Sequence, residues 1–207
     1  CLKHDAVPIG GMATALPSRD DEVNRAAAAA IRADKEWEAR QGFLRAWVAH
    51  IYHMGPAGAP FKELRGSGWR PTPEMADPDN YPVKIETPKG PLTLEGTRQN
   101  VRTLIEYLEG WLSGRGAKGI DRLAGRPGKR PALMEDLATA RISVAQIAQR
   151  VIHGAVAEDT GQKHDFALVK KMLEAEGEDI IARLGAGALP AQNERYRKSV
   201  KIAMRWI

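Results

Sequence analysis

The stretch AVPIGGMATALPSRDDEVNRAAAAAIRADKEWEARQGFLRAWVA, residues 6–49, decides the fold. A short apolar run over 6–9 ends at a glycine pair, which is typical of a strand followed by a turn. Residues 22–41 are rich in Ala, Glu, Arg and Lys, the residue types that favour helices, and Gly42 is placed to end the helix. A second apolar run over 43–49 predicts another strand. A long helix between two strands with short connections indicates an α/β unit.

The next segment, residues 55–95, has a different composition. It contains eight of the 13 prolines and five of the 20 glycines. Proline has no backbone N–H to donate and is poorly tolerated inside helices and sheets. The segment therefore predicts irregular structure, and a loop of this length is typical of a functional loop or a connection between domains.

From about residue 96 the apolar residues recur at the 3.6-residue spacing of helices. A first helix is predicted to bury one face, and Ser143 with Gln146 has the pattern of a capping box at the start of a second. Two more helices are predicted, over 165–184 and towards Ile207. The buried face of the first helix is expected to consist of Val101, Leu104, Ile105, Leu108, Trp111 and Leu112.

The predicted organisation has three parts. Residues 1–54 are expected to form α/β units, residues 55–95 a Pro- and Gly-rich connection, and residues 96–207 a mainly helical domain. The residues themselves therefore predict an α/β segment followed by a mainly α domain.

The composition limits the functional classes. The chain contains one cysteine, Cys1, so neither an internal disulfide nor a paired-thiol metal motif can form. No apolar run approaches the roughly 18–20 residues needed to span a bilayer, and no secretory leader is recognisable. We therefore expect a soluble, cytoplasmic protein with no membrane association. The net charge of +5 is mild and diffuse. It suits an anionic ligand such as a nucleotide-bearing cofactor and does not predict nucleic-acid binding.

LMEDLATARIS, residues 133–143, is the stretch that bears on chemistry. Glu135 and Asp136 form an acidic pair near a predicted helix start. A carboxylate held partly out of water beside a cleft can act as a general base. An acidic pair at a helix start is also typical of a solvated match to the helix dipole. The spacing alone favours this second interpretation, so a catalytic one needs further support.

The same stretch resembles the malate synthase signature, in which Met-Glu-Asp, Ala-Thr and Ile-Ser follow one another at this spacing. Further short motifs match in the family's order, and together they are specific although each alone is weak. The family's proline after WVAH is replaced here by Ile51, and the segment 120–130 looks longer than usual. The other matches are GGMA at 10–13, ADKE at 33–36, WVAH at 47–50, and Asn100-Val101, Tyr107-Leu108 and WLSG at 111–114.

The resemblance implies the end of a (β/α)8 TIM barrel followed by a C-terminal helical domain. Residues 6–13 and 43–50 would be two late barrel strands. Active sites of such barrels gather at the C-terminal ends of the strands, so Gly10, Gly11 and Met12 are implied to face the substrate. A tight turn is the other explanation of the two glycines.

The resemblance also implies an acyltransferase activity. Acetyl-CoA and glyoxylate would undergo a Claisen condensation, with Asp136 as general base, and hydrolysis would give malate and CoA in the glyoxylate cycle. Mg²⁺ and an arginine would stabilise the developing charge, but their protein groups lie in early barrel strands that this sequence does not contain. The chain is thus expected to provide no metal ligand and to be incomplete without the remaining barrel segment. Lys129 and Arg130 precede the base and are candidates for contacts with coenzyme A phosphates.

Two other functions stay open. One is a related acyl-CoA lyase or synthase that acts on another 2-oxo acid and shares the base and the barrel. The other is a non-catalytic helical binding module, because a basic run with only Asp121 opposing it could contact phosphates. A solvated loop is the alternative interpretation of that run. The run consists of Arg115, Lys118, Arg122, Arg126, Lys129 and Arg130.

Overall fold

The computed structural model describes residues 1–86, 89–126 and 128–207. Thr87 and Pro88, within the predicted connection, and Pro127, within the segment 120–130, lie outside the described residues. The chain divides into two compact units: Cys1–Pro88 with Gly128–Leu133, and Lys89–Pro127 with Met134–Ile207. The first unit holds paired strands and helices, whereas the second is mainly helical, as the predicted fold class requires. The predicted three-part division of the chain stays a prediction.

The first unit is built on a parallel pair of strands. Strand β1, Ile9–Ala13, pairs with β2, Arg45–Val48, and helix α1, Asp21–Arg40, connects them. Parallel strands need a crossover of this kind. Asp20 caps α1, because its carboxylate accepts a 2.9 Å hydrogen bond from the backbone N–H of Glu22. The predicted order of strand, helix and strand is confirmed.

The glycine pair lies inside β1 rather than after it, which corrects the predicted strand over 6–9 and its turn. Ile9 is paired with Arg45, and Met12 with Trp47. Between these two pairs the chain advances by three residues in β1 but by only two residues in β2. This count is that of a β-bulge, in which glycine is common. The glycines therefore reshape the strand and do not end it.

The predicted irregular connection contains a helix, so this prediction is wrong for its first part. Helix α2, Met54–Gly66, is followed by the four-residue helix α3, Pro73–Ala76. Pro56 lies in the first turn of α2, where backbone N–H groups have no helical partner, so only the interior Pro60 removes a bond. The inward face, which the sequence analysis did not recognise, consists of Ala57, Pro60, Phe61 and Leu64.

Four α-helices and a two-stranded sheet form most of the described part of the second unit. Its central helix α4 packs against the three other long helices of the unit and contributes fully buried Leu104, Ile105 and Leu108. Among the described helices of the chain, none is both long and apolar enough to cross a bilayer. The elements are α4 Leu94–Leu112, β3 Ala117–Ile120, β4 Leu133–Asp136, α5 Leu137–Ile152, α6 Phe166–Leu184 and α7 Pro190–Trp206.

Two local predictions for this unit are wrong, and two short strands were not predicted. Trp111 was expected on the buried face of α4 but is 57% exposed. The periodicity of apolar residues identifies the buried face of a helix, but it does not show how far along the helix that face stays covered. Ser143 was expected to start a helix but is buried within α5, because Asp136 caps that helix earlier. The strands β3 and β4 were not predicted, since runs of four residues give little periodic signal.

A buried network of charges joins three elements of the second unit. Lys118 of β3 donates to Glu106 and Glu109 of α4 at 2.7 and 2.8 Å, and to the hydroxyl of Tyr196 on α7 at 2.9 Å. Arg195 also donates to Glu109, at 2.9 Å. Burial raises the pKa of Tyr196 to about 12, and the negative charge of Glu106 acts in the same direction. The buried carboxylates are thus matched by cations from other elements.

Candidate functional site

Asp136 lies where β4 ends and α5 begins. Its side chain is exposed, and its Oδ1 accepts hydrogen bonds from the backbone N–H and the hydroxyl of Thr139, at 3.1 and 3.3 Å. Within its own unit, no described residue donates a hydrogen bond to the other oxygen, Oδ2. A carboxylate with one anchored oxygen and one free oxygen is held in place and can still accept a proton.

The neighbouring Glu135 is in a different environment. Glu135 and Asp136 are the last two residues of strand β4, so their side chains point to opposite faces of the strand. Glu135 is 4% exposed, and its Oε1 lies 2.7 Å from Nη2 of Arg122 in an ion pair. The alignment of this contact falls short of a hydrogen bond. Asp136 is therefore the accessible carboxylate of the acidic pair.

The implied substrate-facing residues Gly10, Gly11 and Met12 lie on the β1 bulge of the first unit. A buried ion pair on α1, formed by Lys35 and Glu38, holds this bulge. The carboxylate of Glu38 accepts a 3.0 Å hydrogen bond from the N–H of Gly11, and Lys35 donates a 2.9 Å hydrogen bond to the carbonyl of Gly11. The two charged side chains also bond to each other at 2.7 Å. A Cβ on Gly10 would lie 2.1 Å from Glu38 Oε2, so any other residue there would force the bonded carboxylate of Glu38 to move. Met12 is 47% exposed.

Four of the six residues of the basic run are paired with acids other than Asp121, which corrects the expectation that only Asp121 opposes the run. Within the second unit, Lys118 lies in the buried network, Arg122 pairs with Glu135, and Arg126 lies 3.3 Å from Glu176. These side chains are therefore not a free cationic surface for phosphates.

The remaining basic candidates, Lys129 and Arg130, belong to the first unit. Lys129 forms ion pairs with Glu22 and Asp20 near the start of α1. The hydrogen bond to Glu22, followed by the charge of Asp20, raises the pKa of Lys129. Arg130 is exposed and forms no ion pair with a described residue.

No group of three or more His, Cys, Asp or Glu side chains among residues 1–86, 89–126 and 128–207 is arranged to hold a metal ion. His50 instead accepts a 3.1 Å hydrogen bond at Nδ1 from the N–H of Tyr52. His53 is fully buried, and neither ring nitrogen is hydrogen-bonded to a described residue. Burial, and to a smaller extent the charge of His50, lowers the pKa of His53. The described residues do not fit a Mg²⁺ site.

Two models of one protein family match the sequence. The model described as "Malate synthase, C-terminal" matches residues 92–207, which is more than half of the chain. The chain belongs to the malate synthase family. The model described as "Malate synthase, TIM barrel domain" matches residues 1–64. The α/β segment of the first unit is therefore the end of a malate synthase barrel, and the recognised fold is confirmed.

Individual malate synthases are similar along most of the chain. Malate synthase A of Escherichia coli (strain K12) is 34% identical over 189 residues, which cover 89% of this chain and 33% of that protein. Malate synthase of Streptomyces clavuligerus is 36% identical over 211 residues, covering 100% and 35%. The glyoxysomal malate synthase of Zea mays is 32% identical over 203 residues, covering 96% and 34%. The chain spans about a third of the length of these malate synthases.

The predicted site residues of this malate synthase chain are divided between its units. Gly10, Gly11, Met12, Lys129 and Arg130 lie in the first unit, and Asp136 lies in the second. Within the first unit, the three bulge residues are contiguous on β1, whereas Lys129 is bonded to acids beside α1.

Sequence reasoning missed the residues that support the site. Lys35 and Glu38 hold the bulge, and Arg122 holds Glu135. The spacing of Lys35 and Glu38, three positions apart on a predicted helix, is a signal for an ion pair but not for its burial. The pairing of Arg122 with Glu135 follows from the β3–β4 sheet, which the sequence did not reveal.

Proposed function

We propose that this chain supplies the general base of a malate synthase, Asp136, which acts on acetyl-CoA in its condensation with glyoxylate. The observation that carries the proposal is the contrast within the acidic pair. Asp136 is exposed with a free Oδ2, whereas Glu135 is buried against Arg122. A base must reach the proton that it removes, and only the first of these carboxylates is accessible.

The proposed reaction begins with transfer of a proton from the thioester methyl group to Oδ2 of Asp136. The electron pair of the broken C–H bond becomes the enolate, whose carbon attacks the glyoxylate aldehyde and forms a C–C bond. The resulting alkoxide takes up a proton to give malyl-CoA, and water then cleaves the thioester to malate and CoA. A thioester methyl group is a very weak acid, so this step requires a base in hydrogen-bond reach.

The proposed enzyme also needs a metal ion, a further barrel segment and substrate-facing residues. Mg²⁺ belongs to the proposal as the group that stabilises the developing charge, with its ligands on barrel strands that this chain does not contain. The remaining barrel segment is the proposed protein partner. The substrate-facing role of Gly10, Gly11 and Met12 is part of the same proposal, supported by the exposure of Met12 on the bulge. A cytoplasmic location also stays a proposal, since the Zea mays relative is described as glyoxysomal.

Arg130 is the better of the two candidates for coenzyme A phosphates, because Lys129 already bonds to two acids. In a complete enzyme carrying this segment, we expect Lys129→Ala with Arg130→Ala to raise the KM for acetyl-CoA without changing kcat. Lys198→Ala, an exposed lysine on α7, is the control. An unchanged acetyl-CoA affinity in the double variant would remove this part of the proposal.

The experiment for the base is Asp136→Asn in the same complete enzyme. Asparagine caps helices as well as aspartate does, so α5 should keep its start and the protein its fold. The amide cannot accept the proton, and loss of a general base costs about 10²–10⁴-fold in rate. We expect glyoxylate-dependent release of free CoA to fall by that factor, with acetyl-CoA binding, measured separately, retained.

Glu135→Gln is the matched control. It removes the other carboxylate of the pair, and with it the ion pair to Arg122. The variant should lose stability, but its folded fraction should turn over at a rate near that of the wild type. Wild-type turnover in Asp136→Asn would refute the assignment, and an equal loss in a well-folded Glu135→Gln would mean that the other carboxylate is the base.

A further inference from the structure

Two donors of one residue meet the same oxygen of Asp136. The backbone N–H of Thr139 lies 3.1 Å from Oδ1, and the hydroxyl of Thr139 lies 3.3 Å from it. The N–H bond alone is the usual cap of a helix, so the hydroxyl is an additional contact. A carboxylate oxygen offers about two lone-pair sites, and both sites of Oδ1 are occupied in this arrangement.

The hydroxyl also restricts the rotation of the carboxylate. The terminal torsion of aspartate is broad, so a single cap bond leaves the plane of the carboxylate loosely defined. A second donor on the same oxygen, from a different direction, narrows that range. Thr139 itself is half-buried in the first turn of α5.

We propose that Thr139 is a positioning residue for the base: its hydroxyl holds Asp136 so that Oδ2, and not Oδ1, takes the proton. This inference rests on the proposed role of Asp136. Thr139 touches neither the substrate nor the transferred proton; it acts through the carboxylate that does. The hydroxyl occupies Oδ1 and restricts the rotation of the carboxylate, and both effects keep Oδ2 in one position for the proton.

The decisive variant is Thr139→Val, which removes the hydroxyl and keeps the branched shape and the backbone N–H. In a complete malate synthase carrying this segment we expect kcat to fall about 10- to 100-fold, the range expected for a misplaced catalytic group. The KM for acetyl-CoA should stay within about twofold. The deuterium isotope effect with methyl-deuterated acetyl-CoA should increase, because proton removal becomes slower than the other steps. Thr139→Ser, which restores the hydroxyl, should restore kcat.

A second measurement needs no catalysis. High-resolution crystal structures of the 207-residue chain should show one orientation of the Asp136 carboxylate plane in the wild type and a rotated or split carboxylate in Thr139→Val. Thr160→Val makes the same chemical change at an exposed threonine of the same unit and should leave both measurements unchanged.

Each other result overturns the inference. An unchanged kcat, a missing rescue by serine, or an unchanged orientation of the Asp136 carboxylate in Thr139→Val would show that the hydroxyl does not position the base. A melting temperature lower than that of the Thr160→Val control would show that the hydroxyl serves the fold instead. Failure of the general-base proposal would appear separately, as normal turnover in Asp136→Asn.

Discussion

Replacement of Lys118 by methionine tests whether the buried charge network stabilises the second unit. The side chains of Lys118 and Glu106 are each 13% exposed, and that of Glu109 is 0% exposed. Burial opposes the charged ammonium, but the carboxylates of Glu106 and Glu109 raise the pKa of Lys118, so it is a cation at neutral pH. Methionine keeps most of the length of the side chain and removes the charge, its three hydrogen bonds and its cation–π contact with the ring of Tyr196.

The expected loss of stability depends on how well the carboxylates of Glu106 and Glu109 are still paired after Lys118 is replaced. Removing one partner of a buried ion pair costs about 3–5 kcal/mol, because the other charge is left uncompensated. Arg195 still reaches Glu109 at 2.9 Å, and Arg102 lies 3.4 Å from Glu106, so the lower end applies. We expect a loss of about 3 kcal/mol, which for a unit of this size lowers Tm by roughly 10–15 °C.

The assay is thermal and urea unfolding of the chain, followed by circular dichroism at 222 nm. Lys198→Met, at an exposed position of α7, is the control and should unfold like the wild type. The double variant Lys118→Met with Glu106→Gln should recover part of the loss, because a neutral amide costs less to bury than an unpaired carboxylate. If Lys118→Met shifts the midpoint no more than the control, or if the double variant is the less stable, the electrostatic reasoning is wrong.

Two further predictions concern the first unit. Gly10→Ala should destabilise it by about 1–3 kcal/mol, because the new Cβ meets the buried carboxylate of Glu38 at 2.1 Å, whereas Gly11→Ala, with 3.4 Å of room, should change little; urea unfolding compares the pair. His53 has a lowered pKa, so the unfolded chain binds the proton more readily, and stability should fall as the pH drops below about 6.5. His53→Leu should remove this dependence, and an unchanged pH profile in that variant would exclude His53 as its cause.

The parts that the sequence predicted are those with local causes. Helix α1 could be placed because its composition, its cap at Asp20 and its end near Gly42 all lie within the segment itself. Helix α2 could not, since its composition does not reveal that Pro56 lies in the tolerated first turn and that the helix continues through Pro60. The bulge in β1 escaped prediction because it depends on the register with β2.

For the candidate site, too, the sequence did not reveal the features that depend on residues elsewhere in the chain. Asp136 was found through resemblance to a family, and the residues alone favoured a solvated helix start. The structure gives the physical difference between the two carboxylates, which depends on Arg122, a residue in another part of the chain. Lys118 was assigned to a basic run because its acidic partners come from α4, which sequence proximity does not bring next to it.

The first unit consists of two separate segments of the chain, and this affects the order of folding during synthesis. Its last segment, Gly128–Leu133, follows Lys89–Pro127, which belong to the other unit, and the bridge between Ala15 and Leu133 joins residues over a hundred positions apart. At about 5–20 residues per second, a ribosome needs roughly 2–9 s to pass from residue 88 to residue 133. During that interval the nascent first unit lacks the segment Gly128–Leu133, so its core cannot be completed until that segment has been translated.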